Sequence, residues 1–253
     1  MKLSIIIPAY NCLPQVLRLV NALMATVDPE RTEVLIQDDC SPDYNAEQLF
    51  PPGMAQRNAI NLGFGGNCNA GAERAKGDVL LFLNQDVYTA QQGWDGLLLK
   101  RFEETPEVGI VGPTLIFPNG HVQSVGGAFD AACQPYHIAL GYANPAWPPI
   151  ATARPVGWVT GAALAIRREV WQKLGGFDLA YSPSYFEDVD LCGRAALNGW
   201  QVWHDPAVTF THEVGSTGGS AQFMKSALMF KRRWVDSGLI RPDCTTLQVR
   251  FWA

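Results

Sequence analysis

Apolar runs alternate with amphipathic stretches through the first half of the chain. Leu3 to Ile7 is a short, mostly apolar run that predicts a buried strand, and Val16 to Ala25 repeats its apolar positions at helical spacing. Glu33 to Ile36 predicts a second strand ending at the polar pair Asp38-Asp39. Asn67 to Ala75 reads as a helix. Val79 to Leu83 is the strongest strand, and it ends at Asn84-Gln85-Asp86. Strands alternating with helices predict an α/β fold, a mostly parallel central sheet flanked by helices.

The second half has another texture. Gly141 to Trp158, rich in Pro and Trp, predicts a long irregular loop of the kind that serves as a lid, and is the expected acceptor-side flap. Beyond it, Ala162 to Ile166 predicts a strand, Arg168 to Leu174 a helix closed by Gly175-Gly176, and Asp188 to Asn198 a helix closed by Gly199. Val208 to Thr211 predicts the last strand. The expected organisation is a single domain: residues 1–112 form a donor-binding half, 113–221 an acceptor half, and 222–253 a C-terminal helical segment.

All three polar clusters of the first half follow strands. Ligands of open α/β sheets bind beyond the carboxyl ends of the strands, so Asn11, Asp38 and Asp86 are expected to converge there. A carboxylate held at a strand tip suits a hard divalent cation, although Asn84-Gln85-Asp86 also makes an ordinary turn. Glu187, Asp188 and Asp190 occupy a first helical turn, where the helix dipole favours negative charge and where capping alone would explain them. Asp188 follows aromatic Tyr185-Phe186, and a partly desolvated carboxylate there would be a stronger base, which makes it the candidate general base. His212 stands after a strand and is either a metal ligand or structural; His121, His137 and His204 read as structural. In Asn61 to Gly71, Cys68 takes the third glycine place of a dinucleotide fingerprint, so that reading fails. A turn entering a helix survives, with N–H groups able to approach a phosphate or ribose, or else a purely structural turn.

Composition narrows the partners. A formal charge of -5 over 253 residues argues against nucleic acid, and a diphosphate bound by such a chain calls for a metal as the local positive charge. The six cysteines form no C-x-x-C pair, so neither a zinc site nor a disulfide framework is expected, and a reducing cytoplasm is the simpler setting. The opening apolar run is too short for a signal peptide, and no run reaches the length of a membrane span, so membrane contact would be peripheral. From Gln222 to Leu239, Phe223, Ala227, Phe230 and Trp234 recur beside Lys225, Lys231, Arg232 and Arg233. That pattern fits an interfacial helix, and equally one whose aromatics pack on the core.

In order and wording these segments resemble the family 2 glycosyltransferases of the GT-A fold, particularly the rhamnosyltransferase-like members, from about Leu3 to Thr217. The resemblance is carried by Ser4 to Asn11, Gln37 to Asp43, Arg57 to Gly71, Lys76 to Asp86, Thr160 to Arg168, Gly175 to Asp178, Tyr185 to Leu191, and His212 with Gly215-Ser216. Asn84 replaces the first aspartate of the family's D-x-D. Lys231-Arg232-Arg233-Trp234 only half resembles the element of processive synthases, so single addition is expected. The resemblance implies an inverting transfer from a nucleoside diphosphate sugar, dTDP-rhamnose or a UDP-sugar, to a glycan or lipid-linked glycan acceptor. It assigns donor binding to Pro8, Tyr10, Asn11, Asp38, Asn61, Gly63, Asn69, Asn84 and Gln85, and Mg²⁺ or Mn²⁺ to Asp86 and His212. Asp188 becomes the base, with Glu187, Gly161 and Trp158 beside the acceptor. The alternatives are a non-catalytic sugar-nucleotide or glycan-binding protein and a sugar nucleotidyltransferase, which would need a basic glycine-rich first loop in place of Pro8-Ala9-Tyr10-Asn11.

Overall fold

A computed structural model describes residues 1–213 and 220–240. The first half runs β1 (Leu3–Ala9), α1 (Leu13–Thr26), β2 (Thr32–Asp38), α2 (Ala46–Leu49), β3 (Ala55–Arg57), α3 (Gly63–Arg74), β4 (Val79–Leu83), β5 (Val87–Tyr88) and α4 (Trp94–Glu104). There follow β6 (Val108–Ile116), β7 (Val122–Ser124), β8 (Gly127–Phe129), β9 (Pro135–His137), β10 (Arg154–Pro155), β11 (Ala163–Arg167) and α5 (Arg168–Leu174). α6 (Glu187–Leu197), β12 (Gln201–His212) and α7 (Ser220–Phe230) complete it, with a π-helical turn over Lys231–Val235. Gly215, Ser216 and Cys244 lie outside the described residues.

One sheet carries the order β10-β12-β6-β11-β4-β1-β2-β3. Strands β3, β2, β1 and β4 pair in parallel, as alternating strands and helices require, whereas β11 enters antiparallel between β4 and β6. The sheet is therefore parallel where the first half builds it and mixed where the second half joins. Side-chain alternation sends Ile6, Leu80, Phe82, Leu164 and Ile166 to one face, under Cys68 and Ala72 of α3, Trp171 of α5 and Phe230 of α7. Ile5, Ile7, Leu81, Leu83 and Ala165 go to the other face, under Leu19 and Leu23 of α1 and Trp94 and Phe102 of α4. Both faces are covered, which is why β4 is apolar throughout and β1 carries a single polar residue, buried Ser4.

Chain order reverses at β1, since β2 lies on one side of it and β4 on the other. The crevice that this creates opens at the ends of β1 and β4. Pairing between β1 and β4 stops at Ile6 with Phe82, while pairing with β2 continues to Ala9 with Asp38. Leu3 bonds towards β2, so Pro8, five residues on, faces β4 past the last pair, and its missing N–H leaves no ladder bond unmade.

Helix α3 begins at Gly63, four residues before the expected start, because its first turn, Gly63-Phe64-Gly65-Gly66, has no periodicity to read. Gly71 lets α3 lie directly on β1: a Cβ there would sit 2.6 Å from Ile6. Strand β12 runs over 12 residues, longer than the expected Val208–Thr211, and absorbs Pro206 in a register shift between Asp205 and Thr209. The stretch from 141 to 158 is irregular as expected, apart from the two residues of β10.

Candidate active site

Gln85 Oε1 accepts the Tyr10 N–H at 3.0 Å and Gln85 Nε2 donates to the Tyr10 carbonyl at 3.1 Å, tying the tip of β4 to the tip of β1. The Tyr10 ring is exposed beside this bridge. Asn11 takes positive φ, presents its N–H to Ser41 Oγ, and keeps a buried Oδ1 without a partner among the described residues.

Beyond Asn84 the chain turns into β5, which pairs with the end of β12 so that Val87 faces His212. This delivers Asp86 and His212 to one spot: Asp86 Oδ1 lies 3.2 Å from His212 Nε2, and the Glu213 N–H donates to the Asp86 carbonyl at 3.0 Å. The other ring nitrogen, Nδ1, lies 2.6 Å from Gln123 Oε1. A carboxylate oxygen beside an imidazole nitrogen whose partner nitrogen is already held is a donor set that fits a divalent cation. Among the described residues no group of three or more His, Cys, Asp or Glu gathers as a metal site. His137 also belongs to this neighbourhood. Burial, and then the charge of His212, pushes it down to about 4, and its Nδ1 is 3.0 Å from Ser124 Oγ. His204 is structural as expected, fully buried against Thr114 Oγ1.

Asp188 stands in the first turn of α6. Its Oδ2 accepts the Gly161 N–H at 2.8 Å and its Oδ1 the Val189 N–H at 2.8 Å. Burial raises the carboxyl above its ordinary value, and these two N–H groups oppose the rise. Gly161 is followed by Ala162, the residue before β11, whose carbonyl accepts the Asn84 N–H at 2.9 Å. Asp188 thus reaches the same edge of the sheet as Asn84 and Asp86 through two backbone contacts. Glu187 is buried, its Oε2 has no partner among the described residues, and its carboxyl is pushed well up, by burial first and by Asp188 second.

Helix α7 grips the turn that carries this base. Gln222 Nε2 reaches the carbonyls of Ser182 at 3.2 Å and Ser184 at 3.3 Å, and Ser226 Oγ donates to the Ser184 carbonyl at 3.0 Å. Tyr185 and Phe186 both take positive φ, a costly conformation for aromatic residues, and Phe223 packs against both rings with centroids 5.4 Å apart. Trp234 Nε1 donates to Asp190 Oδ1 at 2.9 Å, and Asp190 also pairs with Arg194 at 2.7 Å. Asp190 and Trp234 are fully buried, so the tryptophan of the segment resembling a processive-synthase element holds α6 in place. Of the two readings of this segment, core packing holds for Phe230 and Trp234.

Several expected ligand residues also make contacts within the protein. Asp38 is fully buried and accepts from the N–H groups of Ser41 and Ala46 and from Arg57 at 2.6 Å, contacts that shape the loop after β2. Asp39 accepts the Leu62 and Gly63 N–H groups, and the Pro183 carbonyl takes that of Phe64. These three amides at the start of α3 are therefore engaged by protein, and the Asn61 side chain also folds back on Gly63. Asn69 exchanges two hydrogen bonds of 2.9 Å with the backbone of Phe177 and is a brace for α3. Trp158 is buried, its Nε1 donating to the Ala128 carbonyl at 3.2 Å. The sequence assigns no role to Asp39, Arg57 or Gln123. Asp39 and Arg57 lie inside motifs singled out there, but nothing local marks Gln123.

Comparison with known proteins agrees with this geometry. A model of Glycosyl transferase family 2 matches residues 4–125. The chain is 31% identical over 245 residues to the N-acetylglucosaminyl-diphospho-decaprenol L-rhamnosyltransferase of Mycobacterium tuberculosis, covering 85% of this chain and 78% of that protein. It is 34% identical over 223 residues to the O-antigen biosynthesis protein RfbC of Myxococcus xanthus, covering 79% of this chain and 16% of that one. Among solved structures it superposes on GalNAc-T7 with UDP, GalNAc and Mn²⁺ at a TM-score of 0.73 and 18% identity, covering 93% of this chain and 48% of that one. It superposes on the mannosyltransferase PcManGT of Pyrobaculum calidifontis, in complex with GDP-Man and Mn²⁺, at 0.65 and 16% identity, over 93% of this chain and 64% of that one. These structures share the GT-A fold with it, and the sequence relatives favour neither the nucleotidyltransferase nor the binding-protein alternative. The chain belongs to the family 2 glycosyltransferases, in their rhamnosyltransferase-like branch.

Proposed function

We propose that this glycosyltransferase is metal-dependent and inverting, and that it moves a sugar, rhamnose from dTDP or a sugar from UDP, onto the hydroxyl of a lipid-linked glycan during polysaccharide assembly. The observation that carries the reading is the placement of Asp188, through Gly161 and Ala162, on the sheet edge where Asp86 meets His212. Asp86 Oδ1 and His212 Nε2 would hold Mg²⁺ or Mn²⁺, with substrate phosphates and water completing the shell. When bound, the ion supplies the positive charge that stabilises the departing diphosphate.

The chain's own residues do the rest. Asp188 takes the proton of the acceptor hydroxyl, whose oxygen bonds to the anomeric carbon as the bond from that carbon to the diphosphate oxygen breaks. Gly161 N–H and Val189 N–H hold the carboxylate while it does so. One displacement inverts the anomeric configuration. Tyr10, exposed at the mouth of the crevice, and Asn84, partly exposed at its floor, are the donor-side groups that remain accessible, with Pro8 and Gln85 as framework.

The lipid-linked acceptor is supported by the mycobacterial relative, a rhamnosyltransferase named for a decaprenol-linked sugar, and by the outer face of α7. There Phe223, Met224 and Leu228 are exposed beside exposed Lys225, Lys231 and Arg232, a pattern suited to a peripheral position on an anionic leaflet. No helix among the described residues is long and apolar enough to cross a membrane. The test is release of nucleoside diphosphate from dTDP-rhamnose and UDP-sugars, with Mn²⁺, with Mg²⁺ and with chelator, in the presence of a polyprenyl-diphosphate-linked sugar. Acceptor-dependent release that chelator abolishes is the expected result; release indifferent to the acceptor removes the transferase reading for these substrates.

A further inference from the structure

Gln123 is the middle residue of β7 and is 8% exposed. Its backbone is fixed from two sides. Val122 and Ser124 pair with β6, and Val122 exchanges hydrogen bonds with Tyr142 and Gly141 across the following loop. The side chain meets His212, 89 residues away, with Oε1 at 2.6 Å from Nδ1. An amide oxygen only accepts, so the ring nitrogen facing it carries the proton, and Nε2 is left with a lone pair directed towards Asp86. We propose that Gln123 is a positioning residue that fixes His212 in its ligating tautomer, turning the Asp86–His212 pair into a competent divalent-cation site. The proposal rests on the reading of Asp86 and His212 as metal ligands.

A second feature points the same way. The other end of the amide, Nε2, is buried and has no hydrogen-bond partner among the described residues. A glutamine kept to stitch the fold together would be expected to use both ends, as Asn69 does; here the engaged end is the one that faces the histidine. Ser124, next along β7, contacts His137, and among the described residues Gln123 is the partner of His212 Nδ1. Were the amide reversed, Nε2 would donate to Nδ1, the ring proton would sit on Nε2, and His212 would be a donor to Asp86 and no ligand.

The two orientations give opposite results in one experiment: calorimetric titration with Mn²⁺ alone of the full chain and of three variants, each also melted thermally. Gln123→Met keeps the shape and removes the acceptor; it should bind Mn²⁺ about 10-fold to 100-fold more weakly, at an unchanged melting temperature. Gln123→Glu keeps an oxygen and cannot donate, so it should bind Mn²⁺ at least as tightly as the parent. The proposal is overturned if Gln123→Met binds like the parent, or if Gln123→Glu loses as much as His212→Ala. If Gln123→Met does not fold, the glutamate variant decides alone. Should the parent and His212→Ala bind Mn²⁺ equally, the metal reading itself has failed and takes the role of Gln123 with it, a result that the Gln123 variants by themselves cannot produce.

Discussion

Gly161 donates its N–H to Oδ2 of Asp188 at 2.8 Å. Gly161 stands two residues before β11, so the hydrogen bond ties α6 to the turn that leads into the central sheet. A Cβ at this position would lie 3.1 Å from two atoms of the Phe64 ring and 3.6 Å from the Cβ of Asp188. The glycine therefore allows three elements to meet at the candidate base: α3 through Phe64, α6 through Asp188, and the turn before β11 through its own backbone.

Replacing Asp188 with asparagine keeps the shape and the contact with Gly161 within reach but removes the basic oxygen. Transfer should fall by about 10²-fold to 10⁴-fold, the usual worth of general-base catalysis, while donor affinity is retained. Nucleoside diphosphate release and a donor titration on the same sample check both halves. Unaltered turnover would remove Asp188 from the chemistry.

The direction of the shift at Asp188 sets the pH dependence. Burial raises its carboxyl above the ordinary 3.8, only partly opposed by the Gly161 and Val189 N–H groups. A base works in its deprotonated form, so activity is gained as pH rises through the raised value. The acid limb of kcat/KM should accordingly lie above 3.8 and be absent from the residual activity of Asp188→Asn. A profile from about pH 4 to about pH 9 checks this, and an acid limb shared by parent and variant assigns it to another group.

What was legible in the sequence followed from local pattern. β1 and β4 are buried on both faces, so their sequences are almost wholly apolar, and the polar residues beyond their tips fall in the crevice. The pairing of Asp86 with His212 was reachable because both stand at strand ends. Helix α4 and strand β6 escaped notice, the latter because Gly109, Gly112 and Pro113 argue against a strand. Yet Gly112 is there to admit Val159, whose side chain would lie 2.5 Å from a Cβ. Motif position does not reveal that Asp38 also accepts from Arg57, Ser41 and Ala46. Gln123 with His212 and Trp234 with Asp190 join residues 89 and 44 positions apart, a separation at which no periodicity speaks.

The grip of α7 on the base turn predicts an effect at a distance. Phe223 touches no residue assigned to substrate, yet its ring leans on Tyr185 and Phe186, whose positive φ values need support from outside the turn. Phe223→Ala should lower kcat by about 10-fold to 10²-fold through misplacement of Asp188, and leave donor affinity unchanged. Phe223→Leu should recover part of the loss. Since the ring is 46% exposed, truncation opens no core cavity, and thermal melts should separate this effect from general destabilisation. Equal kcat in parent and alanine variant would make the aromatic contact incidental.

Asp86→Ala should weaken nucleotide binding only when Mn²⁺ is present, because the carboxylate would act through the ion and not on the nucleotide itself. Calorimetry of a nucleoside diphosphate with and without Mn²⁺ measures the difference. If the variant loses affinity equally under both conditions, Asp86 contacts the nucleotide directly and the metal assignment is wrong.

Glu187 makes a prediction about stability. Burial, and then the charge of Asp188, raises its carboxyl well above the ordinary 4.5. The folded state therefore holds this proton more tightly than the unfolded chain does. The contribution is full below the unfolded value and is lost progressively as pH climbs towards the raised folded value. Glu187→Gln carries no proton to lose and replaces the unpartnered Oε2 with a group of the same size. Any cost of that exchange is constant with pH, and Asp188 is common to both proteins, so its own titration largely cancels in the difference. The melting temperature of Glu187→Gln minus that of the parent should thus rise as pH is raised from about 4 to about 8. A difference that stays flat over this range would mean that Glu187 titrates as an ordinary carboxylate and is not held neutral beside the base.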